Sequence, residues 1–172
     1  MNNGIGGRAW LEQRISLFRG SNESLMLHEL GHTFARLGDE YDEYPTGEER
    51  AIQTEGKPNL DSISDLTKIK WKHFIGLEDY QSVRAFEGGQ YNSKGVWRPE
   101  ESSIMRETWG NYPYFNAPSR EAIVKRILEL NGLPYSFEEF ILKDKIALDT
   151  INSKLESSKK ILESFQCGYS QN

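Results

Sequence analysis

Apolar positions recur at helical spacing in three stretches of this chain. Leu27, Leu30, Phe34 and Leu37, joined by Met26, form one stripe at about 100° per residue. The pattern predicts a helix that Asn22 or Ser21 caps, that carries Glu23 in its first turn, and that stops at Leu37-Gly38. A second helix is expected from a Ser119 cap to Asn131, with Ile123, Ile127 and Leu130 on its apolar face and Gly132 and Pro134 beyond it. After Pro134 the composition shifts. Phe137 to Phe165 reads as one long amphipathic helix, in which Ile141, Leu148, Leu155 and Leu162 recur every seven residues with Ile151 and Phe165 alongside. Asp144 and Ser158 interrupt its second stripe, so both a packing helix and a self-associating coiled coil fit the pattern.

Elsewhere the pattern is less regular. Gly4 to Phe18 reads as one edge strand. Ile63, Leu66, Ile69, Trp71 and Phe74 fit either a short helix or a strand. Residues 39–58 contain Pro45, Gly47, Gly56 and Pro58 and read as an irregular acidic loop. Asp39, Glu40, Asp42 and Glu43 there are read as solvated, with a calcium-type oxygen site as the sharper alternative. Residues 86–118 are rich in glycine, proline and aromatics and read as loops, with Trp97, Trp109, Tyr112 and Tyr114 either lining pockets or covering a core. The expected division is a body over residues 1–134 and a helical appendage over 135–172.

The first helix carries chemistry on its polar side. His28 and His32 stand four residues apart, about 40° around a helix and one turn along it, so both imidazoles can reach one metal ion. Glu29 is rotated off that line, where it would serve as general base toward a metal-activated water. A catalytic zinc site needs three protein ligands and an open position. On a continuous helix Asp39 would lie about 16 Å along the axis from His28, but a turn at Gly38 would bring it back. Asp39 is favoured as third ligand, with Glu40 second. Gly31, inside the helix, costs about 1 kcal/mol against alanine and implies a close approach. His73, the remaining histidine, reads as a packed or surface imidazole.

The stretch from His28 to Tyr41 resembles the active-site segment of the IgA-peptidase (M64) family, metzincin-like zinc endopeptidases. Gly88-Gly89-Gln90-Tyr91, Gly95-Val96-Trp97-Arg98-Pro99 and Ser102-Ser103-Ile104-Met105-Arg106 are similar to that family's glycine/tyrosine stretch, aromatic-Arg-Pro step and Met-turn. Phe115 to Ile123 is a weaker match to the helix entry that follows. The resemblance implies an α+β metzincin-like peptidase unit, Zn2+ as cofactor and a peptide or protein substrate. It also implies an extracellular or cell-surface setting, with Met105 as a soft floor beneath the metal. Tyr112 would stand where a phenol meets the developing oxyanion. The acid following the second histidine comes one residue later than in the metzincin consensus, as in the M64 variant. Such domains carry a sheet ahead of the active-site helix, and only 27 residues precede His28, so the chain reads as the later part of a peptidase. A non-catalytic remnant that holds zinc and binds a partner is the competing expectation.

Composition narrows the classes. The net charge is −5, with no basic cluster, which argues against nucleic acid and anionic membrane surfaces as partners. No apolar run reaches membrane-spanning length and no signal-peptide pattern follows Met1. The single cysteine, Cys167, excludes an internal disulfide. At 37% hydrophobic and 27% charged residues, the chain is polar but suited to a packed core.

Overall fold

A computed structural model describes residues 6–10, 15–19, 23–42, 51–107, 114–145, 149, 152, 153 and 156. They form a mixed α+β fold in which helices dominate and the sheets are small. The order is β1 (Gly6–Trp10), β2 (Ile15–Arg19), α1 (Glu23–Ala35), two 3-10 turns (Lys72–Phe74 and Glu78–Tyr80), β3 (Phe86–Gly89), β4 (Asn92–Arg98) and α2 (Ala117–Leu130). The chain divides into two compact units, residues 1–133 and 134–172. In the second, residues 137–145 are helical, as are the described positions 149, 152, 153 and 156. Of the heptad residues only Ile141 is described; Leu148, Ile151, Leu155, Leu162 and Phe165 lie outside the described residues, as do Ser21, Asn22, Trp109, Tyr112 and Cys167. No helix among the described residues is long and apolar enough to cross a membrane.

Several elements differ from the sequence reading. Residues 4–18 do not make one strand. β1 and β2 pair antiparallel, Gly6 opposite Arg19 and Trp10 opposite Ile15, and this hairpin lies against α1. Ser16 fastens it there, its hydroxyl donating to the Glu29 carbonyl at 2.9 Å and lying 2.8 Å from the Thr33 hydroxyl. Residues 61–75 form neither an α-helix nor a strand, and their only helical piece is the 3-10 turn Lys72–Phe74. Asp61 makes one antiparallel bridge to Trp97, and turns then bury Ile69, Trp71 and Phe74 without periodicity. Their backbone groups find partners within turns and on Asp61, whose carboxylate accepts from the Ile63 and Lys70 amides. The stretch expected as loops contains the β3–β4 hairpin, which its repeated glycines disguise.

The core beneath α1 consists of Ala35, Leu37, Ile104 and Met105, with Leu27, Phe34, Phe115, Ala122 and Ile123 packed on it. The expected apolar stripe is only partly used, because Met26 and Leu30 are exposed. The buried positions of α1 are Leu25, His28, Glu29, Gly31, Thr33 and Ala35. The helix therefore buries the side that carries its chemistry. Gly31 makes this possible. A Cβ there would stand 3.0 Å from both the Met105 sulfur and Phe115 Cε1.

Two caps also move. α1 ends at Ala35, ahead of Gly38, and Arg36 takes the left-handed position at φ 57°. Its amide donates to the His32 carbonyl at 3.0 Å, and the Leu37 amide to the Gly31 carbonyl at 3.2 Å. A non-glycine residue there costs roughly 1–2 kcal/mol. Gly38 serves a different need, since Leu60 Cδ1 and Lys57 Cδ press against the place a Cβ would occupy. α2 starts three residues earlier than expected. Asn116 is the cap, its Oδ1 accepting from the Ser119 amide at 3.1 Å, and Pro118 sits in the first turn. Ser119 is fully buried, and among the described residues its hydroxyl has no partner. The expected apolar face of α2 is shallow too, as Ile127 and Leu130 are exposed. Gly132, at φ 64°, ends the helix as its sequence position suggests.

Candidate metal centre

The reversal at Arg36 brings the chain back along α1. The Leu37 carbonyl accepts from His32 Nδ1 at 2.6 Å, and residues 39–41 then run between the β3–β4 turn and the Met105 loop. The Asp39 and Tyr41 carbonyls accept from the Gln90 and Tyr91 amides at 2.8 and 2.7 Å, while the Glu40 amide donates to the Met105 carbonyl at 3.0 Å. Successive side chains of an extended segment point to opposite sides. Asp39 and Tyr41 thus face the histidines, and Glu40 faces away.

The consequence is a compact donor triangle. Asp39 Oδ1 lies 3.1 Å from His28 Nε2 and 3.1 Å from His32 Nε2, and the two Nε2 atoms are 3.0 Å apart. Each ring has its other nitrogen on a backbone carbonyl, His28 Nδ1 on Ile104 at 2.9 Å and His32 Nδ1 on Leu37. A carbonyl only accepts, so each Nδ1 carries a hydrogen and each Nε2 turns inward, where it offers a lone pair in a neutral ring and an N–H to Asp39 in a protonated one. With both rings neutral, three lone-pair atoms would converge and repel unless positive charge sat among them. Tetrahedral zinc at ~2.0–2.1 Å from each donor would space them by about 3.3 Å, close to the observed triangle. The donor set therefore fits a metal ion, and His28, His32 and Asp39 together are able to chelate one.

The electrostatics agree. Burial raises the Asp39 carboxyl, but hydrogen bonds and charge from His28 and His32 outweigh it and hold the acid well below the usual range. Burial lowers His32, yet the Asp39 hydrogen bond and charge, the Leu37 carbonyl and the Glu29 charge together raise it. A proton on that ring is the metal-free way to relieve the cluster. Glu29 is buried and its pKa is raised, chiefly by desolvation, with His28 and His32 opposing and Asp39 assisting. Among the described residues no hydrogen bond or ion pair holds its carboxylate.

Glu40, the second choice for third ligand, has another role. It is fully buried, and Ser103 Oγ, Asn59 Nδ2 and Asn116 Nδ2 donate to it at 2.7, 2.8 and 2.7 Å. Burial raises its pKa while these donors and Arg98 pull it down. Asn59 also brackets Gly38, accepting from its amide at 2.7 Å and donating to its carbonyl at 2.9 Å. One carboxylate thus ties the segment after α1, the Asn59 loop, the Ser103-Met105 turn and the cap of α2. Asp42 pairs with Arg106 at 2.8 Å. The acidic run is therefore not a uniformly solvated loop, and among the described residues the cluster of His28, His32 and Asp39 is the one group of this kind able to hold a metal.

Met105 is fully buried under α1, its sulfur against Gly31. His73 pairs with Glu121 at 3.0 Å, away from the triangle. Tyr91, which the glycine/tyrosine stretch contains without a role of its own, stands closer to the centre. Tyr91 donates its phenol to Asp39 Oδ2 at 3.1 Å. Its ring lies 5.8 Å from that of Tyr41, which is 5.7 Å from the His28 ring. Asp39, Ala51, Gln53, Lys57, Gln90 and Tyr91 line a cavity of about 360 Å³ beside the cluster. The signals for Tyr91 in the sequence are its place in the glycine/tyrosine stretch and its position after Gly88-Gly89, which suggest a turn but not its direction.

Fold and site together define a mixed α+β protein with a largely buried His-His-Asp centre able to bind a metal ion. The chain matches no protein-family model and no curated protein.

Proposed function

We propose that this chain is a zinc-dependent peptidase unit of the metzincin-like M64 type. The observation that carries the reading is the donor triangle, with the buried Glu29 carboxylate, unbonded among the described residues, next to it in sequence. His28, His32 and Asp39 would hold the ion. Zinc there would supply a Lewis acid and make a water molecule more acidic at neutral pH. Glu29 accepts a proton from the attacking water and returns it to the leaving amine; its raised pKa suits it to both roles. The Ile104 and Leu37 carbonyls fix both imidazoles in the tautomer the site needs.

A peptide substrate is supported by the hairpin beside α1. β1 and β2 form a two-stranded sheet, so among the described residues each has an unpaired edge to which an extended chain could add. The test is hydrolysis of an unfolded protein by the purified chain with and without zinc. Hydrolysis that depends on zinc and disappears in Glu29→Gln supports the reading. Zinc bound at His28 and His32 without turnover would favour a metal-binding protein that recognises a partner. No zinc binding would overturn both.

A further inference from the structure

The β3–β4 turn is built against its own local preference. Gly89 pairs with Asn92, leaving Gln90 and Tyr91 as a two-residue loop with φ values of 52° and 63°. Positive φ at both central positions is what a type I′ turn requires, and Asn-Gly is the sequence that adopts it most readily. Glutamine and tyrosine have no such ease in that region. A strained pair kept in place of an unstrained one implies that the side chain does something. The Tyr91 side chain reaches the metal cluster, with its phenol on Asp39 Oδ2 at 3.1 Å. The backbone of the same turn grips the segment that carries Asp39, through Gln90 N to the Asp39 carbonyl and Tyr91 N to the Tyr41 carbonyl.

We propose that Tyr91 is a positioning residue for the metal centre: its phenol pins the outer oxygen of Asp39, so that Oδ1 alone is presented to the space between His28 and His32. Oδ1 is equidistant from both Nε2 atoms at 3.1 Å. Without a donor on Oδ2 the carboxylate could rotate about its Cβ–Cγ bond or take up both oxygens in the cluster, and the triangle would loosen. The hydrogen bond also withdraws charge from Oδ2, which favours one-oxygen ligation. Supporting partners of this kind typically contribute about 10–100-fold to metal affinity. The inference rests on the cluster being a metal site.

The test is zinc affinity, measured by competition with a chromogenic chelator, alongside metal-free thermal melting. Tyr91→Phe keeps the ring beside Tyr41 and removes the donor. It should lower zinc affinity about 10–100-fold with little change in the metal-free melting temperature. A second variant, Gln90→Asn with Tyr91→Gly, supplies the preferred turn. It should melt higher than wild type without metal and bind zinc more weakly, an opposition that a purely structural tyrosine would not produce. Wild type and Tyr91→Phe binding zinc equally would overturn the inference and leave the metal site standing. A wild-type chain that binds no zinc would overturn the metal site and this inference with it.

Discussion

Replacing Glu40 separates the two neighbouring acids by their effects. In Glu40→Ala, Ser103 Oγ, Asn59 Nδ2 and Asn116 Nδ2 lose their shared acceptor in a fully buried setting. A buried donor left without a partner costs about 1–3 kcal/mol. The sum is reduced because Asn59 keeps its bond to the Gly38 carbonyl and Ser103 still accepts from the Met105 amide. Removing a buried carboxylate also returns its desolvation cost. A net loss of roughly 3–5 kcal/mol is expected. That is a large share of a typical total of about 5–15 kcal/mol. For a chain of this size it corresponds to a fall in melting temperature of roughly 6–20 °C. In Glu40→Gln the amide oxygen retains both asparagine bonds and only the Ser103 hydroxyl hydrogen is left over, so a loss of about 1–2 kcal/mol is expected. The Gln variant should also bind zinc as wild type does, because this side chain points away from the triangle. Circular-dichroism melts of the metal-free proteins and chelator competition are the assays. An Ala variant that melts with the wild type, or a Gln variant that loses zinc, would refute the reasoning.

Asp39→Ala should show the opposite pattern, retaining the fold while losing zinc measured by dialysis and elemental analysis; retention of zinc would exclude Asp39 as a ligand. Glu29→Gln should keep zinc and lower peptide hydrolysis by about 10²–10⁴-fold, read as kcat on a fluorogenic peptide. Unchanged turnover would remove Glu29 from the mechanism. Ser119→Ala should be neutral or stabilising by up to about 1 kcal/mol in denaturant melts, since it removes an unpaired buried hydroxyl; a comparable loss would restore Ser119 as the cap of α2. Adding zinc to chelator-stripped wild type should raise its melting temperature in proportion to the logarithm of free zinc. A flat response would argue against binding to the folded state.

The chemistry of α1 is legible in the sequence because it is local. A four-residue spacing on a helix brings the imidazoles of His28 and His32 together without help from the rest of the chain. The return of Asp39 has a different cause from the one its glycine neighbour suggests. The reversal comes from Arg36 in a left-handed conformation, and local propensity would have put glycine there. Tertiary contacts decide between Asp39 and Glu40. Backbone bonds from Gln90 and Tyr91 and to Met105 hold residues 39–41 extended, and alternation then sends the two carboxylates to opposite sides.

What the helix buries is also a tertiary outcome. A stripe of leucines ordinarily marks the core face. Here Leu30 is exposed while His28 and Glu29 are buried, because the Ile104-Met105 turn and the β1–β2 hairpin pack on the polar side. The capping of α2 and the contact of Tyr91 with Asp39 are hidden for the same reason. Asn116 and Glu40 are 76 residues apart in sequence, and Tyr91 and Asp39 are 52 apart. Local spacing determined which residues could bind a metal. Long-range hydrogen bonds, invisible to any periodicity, determined which carboxylate lies against the two imidazoles.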